Sequence, residues 1–468
     1  MTRPMLFRIG ILAALVLTTV APLVSAQESD IQPLTLGEAV RLATDASQSV
    51  ERSRLDVTVA RSQVDGAKAA FGPTVTGSAG IAYLADPAEG ITIPAGEFGT
   101  VTNPGSTFPA RLPDEPVVLL PDAEHLGLSA RVELRQPLFT WGKLTAGREA
   151  AEAGLDAGVA GQGRSERELR RRVSLAYAGV VAGRASLERV EELVALLESR
   201  AANAREQYEA GAITRSEVLS QESVLAGARA QLVRVRQGLR SGEATLEWLV
   251  DREIGALTPP ELPDDLPDED ALVRRAIEGD PQLAELRATS GQAAVQLRVA
   301  RASRPLLPDL GLSVTAEVQG QRIPFVQSNW IDSWDADLTV SIGASATLYD
   351  SGANRADQTS AQAQYEQALS AIAEYEDSLP LQIRAAMETF RVAEARLAEA
   401  VARRETAAEQ LRVAEVSYEN ELITRAELLG ARAAVLEAEL TGISARLEME
   451  RGVIELEYLA GPLLEEPT

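Results

Sequence analysis

The sequence of 468 residues contains no cysteine and a single histidine. Without thiols there is no disulfide, no Cys-ligated metal, no thiol nucleophile and no acylated N-terminal cysteine to act as a lipid anchor, so any anchor must be the fold itself. His125 lies in a Pro-rich stretch near Asp122 and Glu124, the setting of a solvated loop residue. One histidine cannot build a His-rich zinc site, and no Ser-His-Asp or Cys-His arrangement has plausible constituents. No GxxxxGK[ST] loop is available to hold phosphates, so neither an enzyme nor a cofactor-binding protein is expected. Carboxylate pairs occur all along so acidic a chain and discriminate nothing. Basic residues number 45 against 69 acidic ones, for a net charge of −24, which argues against nucleic acid as a partner. Aromatic residues make up only 4%.

Long apolar runs are also missing, with one exception. Arg3 and Arg8 precede an apolar stretch from Ile9 to Val24, broken by Pro22 and followed by the small-residue signal Val24-Ser25-Ala26. The stretch is short for a membrane span of about 20 residues and reads as a cleaved signal peptide over 1–26. Export is therefore expected. Nothing later in the chain could be a membrane helix, as an outer-membrane protein requires, because barrel strands carry only an alternating signal through the periplasm.

What is present is an internal repeat. Leu138-Phe139-Thr140-Trp141-Gly142 matches Leu348-Tyr349-Asp350-Ser351-Gly352, and YEAGAITRSEVL at 208–219 matches YENELITRAELL at 418–429, both displaced by 210 residues. A constant offset means that the intervening helices have equal length, as duplication of one unit would give. Upstream, FGPTV at 71–75 aligns with LLPDL at 306–310, so the first copy carries extra residues between its strands. The resulting division is a first repeat over 27–257, a Pro-rich acidic linker over 258–270, a second repeat over 271–460 and a tail over 461–468. The insertion at 85–125 is rich in Pro and Gly and reads as a long loop at a barrel rim.

Most of the remainder is helical. Ala176, Val180, Gly183, Leu187, Val190, Val194, Leu197, Ala201, Ala204 and Tyr208 alternate by three and four, a coiled-coil seam. After a turn at 211–214, Leu225, Ala228, Leu232, Val235, Leu239, Gly242, Leu246 and Leu249 continue the spacing, so the chain folds back on itself. A helix over 143–208 would extend about 100 Å, too long for a globular domain, and must pack laterally against others.

Four segments alternate with period two: 74–84, 126–139, 309–319 and 335–348. In 126–138, for example, Leu126, Leu128, Ala130, Val132 and Leu134 oppose Ser129, Arg131, Glu133 and Arg135. Each is about long enough to cross a bilayer as a tilted strand. One such strand would suit an ordinary sheet with a wet face, but two hairpins cannot close a barrel, so a membrane reading requires several chains. Three chains would supply twelve strands. The lumen face would then carry Arg131, Glu133, Arg135, Glu317 and Asp337. Phe139, Trp141 and Tyr349 fall at one end of the strands and Trp330 and Trp334 at the other, where interface aromatics belong.

The order of LTLGEAVRLA at 34–43, FGPTV, QPLFTWGK, TLYDSGAN and the two YExxxITRxExL turns resembles the TolC-like outer-membrane efflux family over nearly the whole mature chain. The resemblance implies an α+β membrane protein of two structural repeats, each with long coiled-coil helices flanking a β-hairpin. It implies a homotrimer with a twelve-stranded barrel among outer-membrane lipid, continuous with a periplasmic helical tunnel. It also implies partners: a periplasmic adaptor and, through it, an inner-membrane pump. The expected role is that of a passive exit duct, the alternative being a soluble periplasmic coiled-coil adaptor or structural protein. Carried over by position, the adaptor-docking turns are Ala210-Gly211-Ala212 and Asn420-Glu421-Leu422, the second lacking the glycine that relatives keep. Glu217 and Glu427 would ring the periplasmic entrance, with Arg215 and Arg425 as candidate partners, and a second acidic ring is missing at Gly430.

Overall fold

The computed structural model describes residues 33–95, 115–120, 124–263, 266–302, 307–324 and 326–463; the expected signal peptide and the end of the tail lie outside them. The first repeat runs α1 (Leu36–Ala46), α2 (Gln48–Ala69), β1 (Thr74–Tyr83), a small hairpin of β2 (Ile91–Ile93) and β3 (Val117–Leu120), β4 (Leu126–Phe139), α3 (Lys143–Glu209) and α4 (Arg215–Val250). The second runs α5 (Glu269–Gly279), α6 (Pro281–Ala302), β5 (Asp309–Gly320), β6 (Trp334–Ser345), α7 (Ala353–Glu419) and α8 (Arg425–Ala460). The duplication is exact in the helices: 11, 22, 67 and 36 residues in each repeat.

Local chemistry sets these boundaries. Thr35 and Glu38 close a capping box at the start of α1, and Ser47 both ends α1 and caps α2. In the second copy Asp280 takes the place of Ser47: its Oδ1 accepts from Leu283 N at 2.9 Å, and Pro281 supplies a preset first helical residue. Each strand-to-helix corner needs two consecutive left-handed residues, Trp141 and Gly142 (φ 55° and 82°) and Ser351 and Gly352 (φ 54° and 89°). A glycine at the second position removes half of the steric cost of that corner.

The helices pair as antiparallel hairpins, α3 with α4 and α7 with α8. Their seams are built for close approach: a Cβ on Gly183 would meet Leu239 at 3.2 Å, and one on Gly452 would meet Phe390 at 3.3 Å. The repeats join side by side, because α3 also packs against α6 and α8 of the second repeat. Arg164 reaches Glu285 at 3.1 Å, Arg171 reaches Glu455 at 2.9 Å and Arg189 reaches Glu439 at 3.4 Å along that junction. Near the middle of α3, the fully buried Tyr177 donates to Leu34 O or Thr258 O, each 2.6 Å from its hydroxyl oxygen. With Leu34 N donating to Ala256 O and Thr258 N to Leu34 O, the start of the linker is tied to the residues just before α1.

Four strands form one antiparallel sheet in the order β1-β4-β5-β6. Two expectations are corrected here. The insertion over 85–125 is not wholly loop, since β2 and β3 pair within it; three- and four-residue strands are too short to show period-two alternation. The last strand ends at Ser345 rather than at 348, because β5 begins at Asp309, opposite Ser345, and offers no partner beyond.

Candidate functional site: an open sheet and two helical tips

Register decides what the sheet presents. On one face Thr74, Thr76 and Ser78 of β1 lie opposite Arg135, Glu133 and Arg131 of β4. Arg135, Glu133 and Arg131 lie in turn opposite Ser313, Thr315 and Glu317 of β5, and Glu317 opposite Asp337 of β6. All five residues expected on a lumen face therefore share one side. Four of the five charges are matched: Arg131 meets Glu317 at 2.7 Å, and Glu133 accepts from Arg135 at 2.5 Å and from Ser313 at 3.2 Å. Asp337 forms no ion pair among the described residues.

The other face is apolar in every strand. Val75 lies opposite Leu134, Leu134 opposite Val314, and Val314 opposite Val340; Ile81 lies opposite Leu128, and Leu312 opposite Ile342. These side chains have no cover: Ile81 is 76% exposed, Leu338 71% and Ile342 72%. The sheet is also open at both ends, since among the described residues β1 and β6 each pair along one edge only. Bare apolar side chains and unpaired backbone groups call for a low-dielectric surround and for further strands. Aromatics mark the two ends. Phe139 packs edge-on against Trp141 at 4.8 Å, and the Trp141 indole donates to Pro308 O. At the opposite end Trp334 lies over Gly320, where no Cβ would fit, and donates to Arg322 O at 2.8 Å. Trp330 opens the short 3-10 turn before β6. His125 stacks on Tyr83 with ring centroids 5.7 Å apart.

About 100 Å away, at 1.5 Å per residue of α3 and α7, are the two hairpin tips. They are the same structure in spite of their sequences. In each, two backbone bonds form a Schellman turn: Gly211 N to Tyr208 O at 2.9 Å and Ala212 N to Gln207 O at 2.8 Å, against Glu421 N to Tyr418 O at 2.9 Å and Leu422 N to Ser417 O at 2.8 Å. Glu421 holds the left-handed conformation (φ 58°) that Gly211 (φ 73°) adopts without strain. The missing glycine thus costs about 1 kcal/mol but does not change the turn.

The entrance glutamates have a local task that the TRxE pattern, read as a capping box, would have shown. Glu217 Oε2 accepts from Thr214 N at 2.7 Å and Glu217 N donates to Thr214 Oγ1 at 3.3 Å; Glu427 does the same with Thr424 at 2.7 and 3.2 Å. The Thr424 backbone N–H, and then its hydroxyl, hold the Glu427 carboxyl below its ordinary range. Thr214 and Thr424 are the residues the sequence reading passed over. Among the described residues Arg215 and Arg425 enter no ion pair, so each glutamate is held by its threonine and not by the arginine two residues before it. Gly430 sits 3.7 Å, measured from a built Cβ, from Arg200 of α3.

A two-faced open sheet on a pair of rod-like hairpins defines a channel-forming subunit, one whose membrane part is finished only by other strands. The chain belongs to the outer membrane efflux protein family, whose profile matches residues 39–250 and 272–462. It is an outer-membrane efflux channel of the TolC-like type, with a periplasmic helical tunnel, and the alternative of a soluble periplasmic adaptor is set aside. Among solved structures it is similar to the CmeC outer-membrane channel of Campylobacter jejuni, with 14% identity, a TM-score of 0.70 and 91% of this chain and 85% of that one covered. VceC of Vibrio cholerae gives 17%, 0.68, 91% and 96%. The open-state MtrE channel of Neisseria gonorrhoeae gives 18%, 0.62, 91% and 88%. At these identities the likeness speaks for the fold. No curated protein sequence matches the chain.

Proposed function

We propose that three copies of this chain close a twelve-stranded barrel and a continuous tunnel that serves as the passive exit duct of a tripartite system. The observation that supports this is the sheet itself, with one bare apolar face, one polar face of largely matched charge and two open edges. Three such sheets, closed edge to edge, bury every backbone group, turn the apolar face to lipid, and enclose Arg131, Glu133, Arg135, Glu317 and Asp337 around water. At the far end six Schellman turns would dock on a periplasmic adaptor, through Ala210-Gly211-Ala212 and Asn420-Glu421-Leu422. An inner-membrane pump would supply the substrate. Glu217 and Glu427, capping their helices, would bring six carboxylates around the tunnel mouth.

The test is reconstitution of the purified protein. Light scattering in detergent is expected to give a trimer, and planar bilayers a steady ion conductance. A stable monomer, or a bilayer left silent, would overturn the proposal.

A further inference from the structure

The two repeats do not have the same neighbours. Among the described residues α3 packs against α2 and α4 of its own repeat and α6 and α8 of the other, whereas the helices packed extensively on α7 are those of its own repeat. Correspondingly α6 and α8 each lie between two long helices, while α2 and α4 each touch one. Every contact across the repeat junction can be carried to its counterpart by the repeat offset, 210 residues for α3 to α7 and α4 to α8, and 233 for α2 to α6.

Two of the ion pairs across the junction carry over with signs exchanged, whereas the pair Arg171–Glu455 becomes Leu381 and Thr245 and the pair Arg298–Glu149 becomes Asp65 and Thr359. Arg189 of α3 and Glu439 of α8 become Glu399 of α7 and Arg229 of α4. Arg164 of α3 and Glu285 of α6 become Glu374 of α7 and Arg52 of α2. Where the Arg171 guanidinium lies 4.7 Å over the Tyr458 ring, the counterparts are Leu381 and Trp248, large apolar side chains left 64% and 77% exposed. The sheet agrees independently. Carrying the β4–β5 register to the free edges sets Ile342 against Ile81, Ala344 against Ala79 and Val340 against Tyr83, apolar residue against apolar residue. It also pairs Ala346 with Gly77, one residue beyond the present end of β6.

Resting on the trimer proposed above, we infer that the seam between copies of this chain repeats the seam between its two repeats with two of its ion pairs reversed in sign. Glu399 and Glu374 of one protomer receive Arg229 and Arg52 of the next, and Leu381 receives Trp248. Within the protomer Glu399 is paired with Arg403 and Arg229 with Glu198, at 2.7 and 2.6 Å, so assembly joins two exposed pairs into an alternating row of four charges. The reversal also specifies order. If α4 of one copy took the place of α8 on α3, Arg229 would face Arg189; at α7, α8 of another copy would set Glu439 against Glu399. Like charges in those positions exclude closure in the wrong helix sequence.

Because the chain has no cysteine, introduced pairs report without interference. The variant carrying Trp248→Cys and Leu381→Cys is expected to give covalent dimers and trimers on mild oxidation, resolved on a non-reducing gel. No intermolecular disulfide in a protein that scatters light as a trimer would overturn the inference while leaving the trimer standing. Arg229→Glu and Glu399→Arg, each alone, should weaken assembly about fivefold per seam, on the order of a hundredfold over three seams. Together they should restore it. Single and double variants equally impaired would sink the charge-reversed seam. A monomeric unmodified protein would defeat the trimer itself.

Discussion

Arginine in place of Val132 separates a lipid-facing sheet from a merely wet one. Val132 sits near the middle of the 14-residue β4, between Gly77 of β1 and Ala316 of β5, on the apolar face and 52% exposed. At a bilayer midplane an arginine costs about 2–4 kcal/mol, and a threefold assembly multiplies this to about 6–12 kcal/mol per trimer. That is comparable to the whole stability of a typical domain. If water instead covered this face, the same arginine would be solvated and cost within about 0.5 kcal/mol. Ser129→Arg is the control, because residue 129 stands in the same strand on the polar face, opposite Gly80 and Gln319. The assay is the amount of trimer in the outer-membrane fraction, read on a gel with and without heating. Val132→Arg is expected to deplete the trimer strongly and Ser129→Arg to leave it near the unmodified level. Equal depletion, or none in either, would refute the assignment of faces.

At the tips, Glu421→Gly should stabilise the second hairpin by about 1 kcal/mol, and Gly211→Val should destabilise the first by more, since a β-branched residue resists the left-handed region. Rates of tryptic cleavage after Arg425 and Arg215 would report both. Glu217→Gln with Glu427→Gln keeps both capping boxes but removes six charges per trimer, so cation preference in a planar bilayer should fall with no change in that cleavage. Below the ordinary carboxylate range the Glu427 cap should weaken toward the strength of a neutral glutamine. Its pKa is lowered by the fold, so the contribution of its charge is complete above the unfolded value and lost as the pH falls through the folded one. Glu450 has the opposite sign: burial raises its pKa, against the opposing effect of Arg446 at 3.0 Å. It should destabilise the fold increasingly as pH rises past the ordinary carboxylate range, and Glu450→Gln should flatten the thermal stability profile from pH 4.5 to neutrality.

The rods and the barrel strands were legible because each rests on a period repeated many times over. Val190, Val194, Leu197 and Ala201 are buried where the heptads put them, and Arg131, Glu133 and Glu317 share a face because alternation admits no other arrangement. What escaped was set by single residues or by partners. The break between α1 and α2 hangs on Ser47, and that between α5 and α6 on Asp280 with Pro281. The conformation of Glu421 is imposed by two backbone hydrogen bonds and not by its side chain, so the sequence argued for a difference between the tips that the fold does not show. The end of β6 depends on what lies opposite, and no pattern within the strand records that. Thr214 and Thr424 are visible in the sequence as capping boxes, since TRxE carries a helix-start pattern as well as a charge pattern.

Equal helix lengths make the protein's reach a quantity that evolution can change only in steps. One residue added to α3 alone would turn everything beyond it by about 100° and move its tip by about 1.5 Å, breaking the seam with α4 and leaving the tip out of line with that of α7. A tolerated change must preserve the faces, hence come in sevens, and must be made in both arms of both hairpins, lengthening the duct by about 10 Å at once. The length of the insertion between β1 and β4 is free to drift residue by residue. The gap that this channel can bridge is not, so a partner across the periplasm is matched to a discrete length.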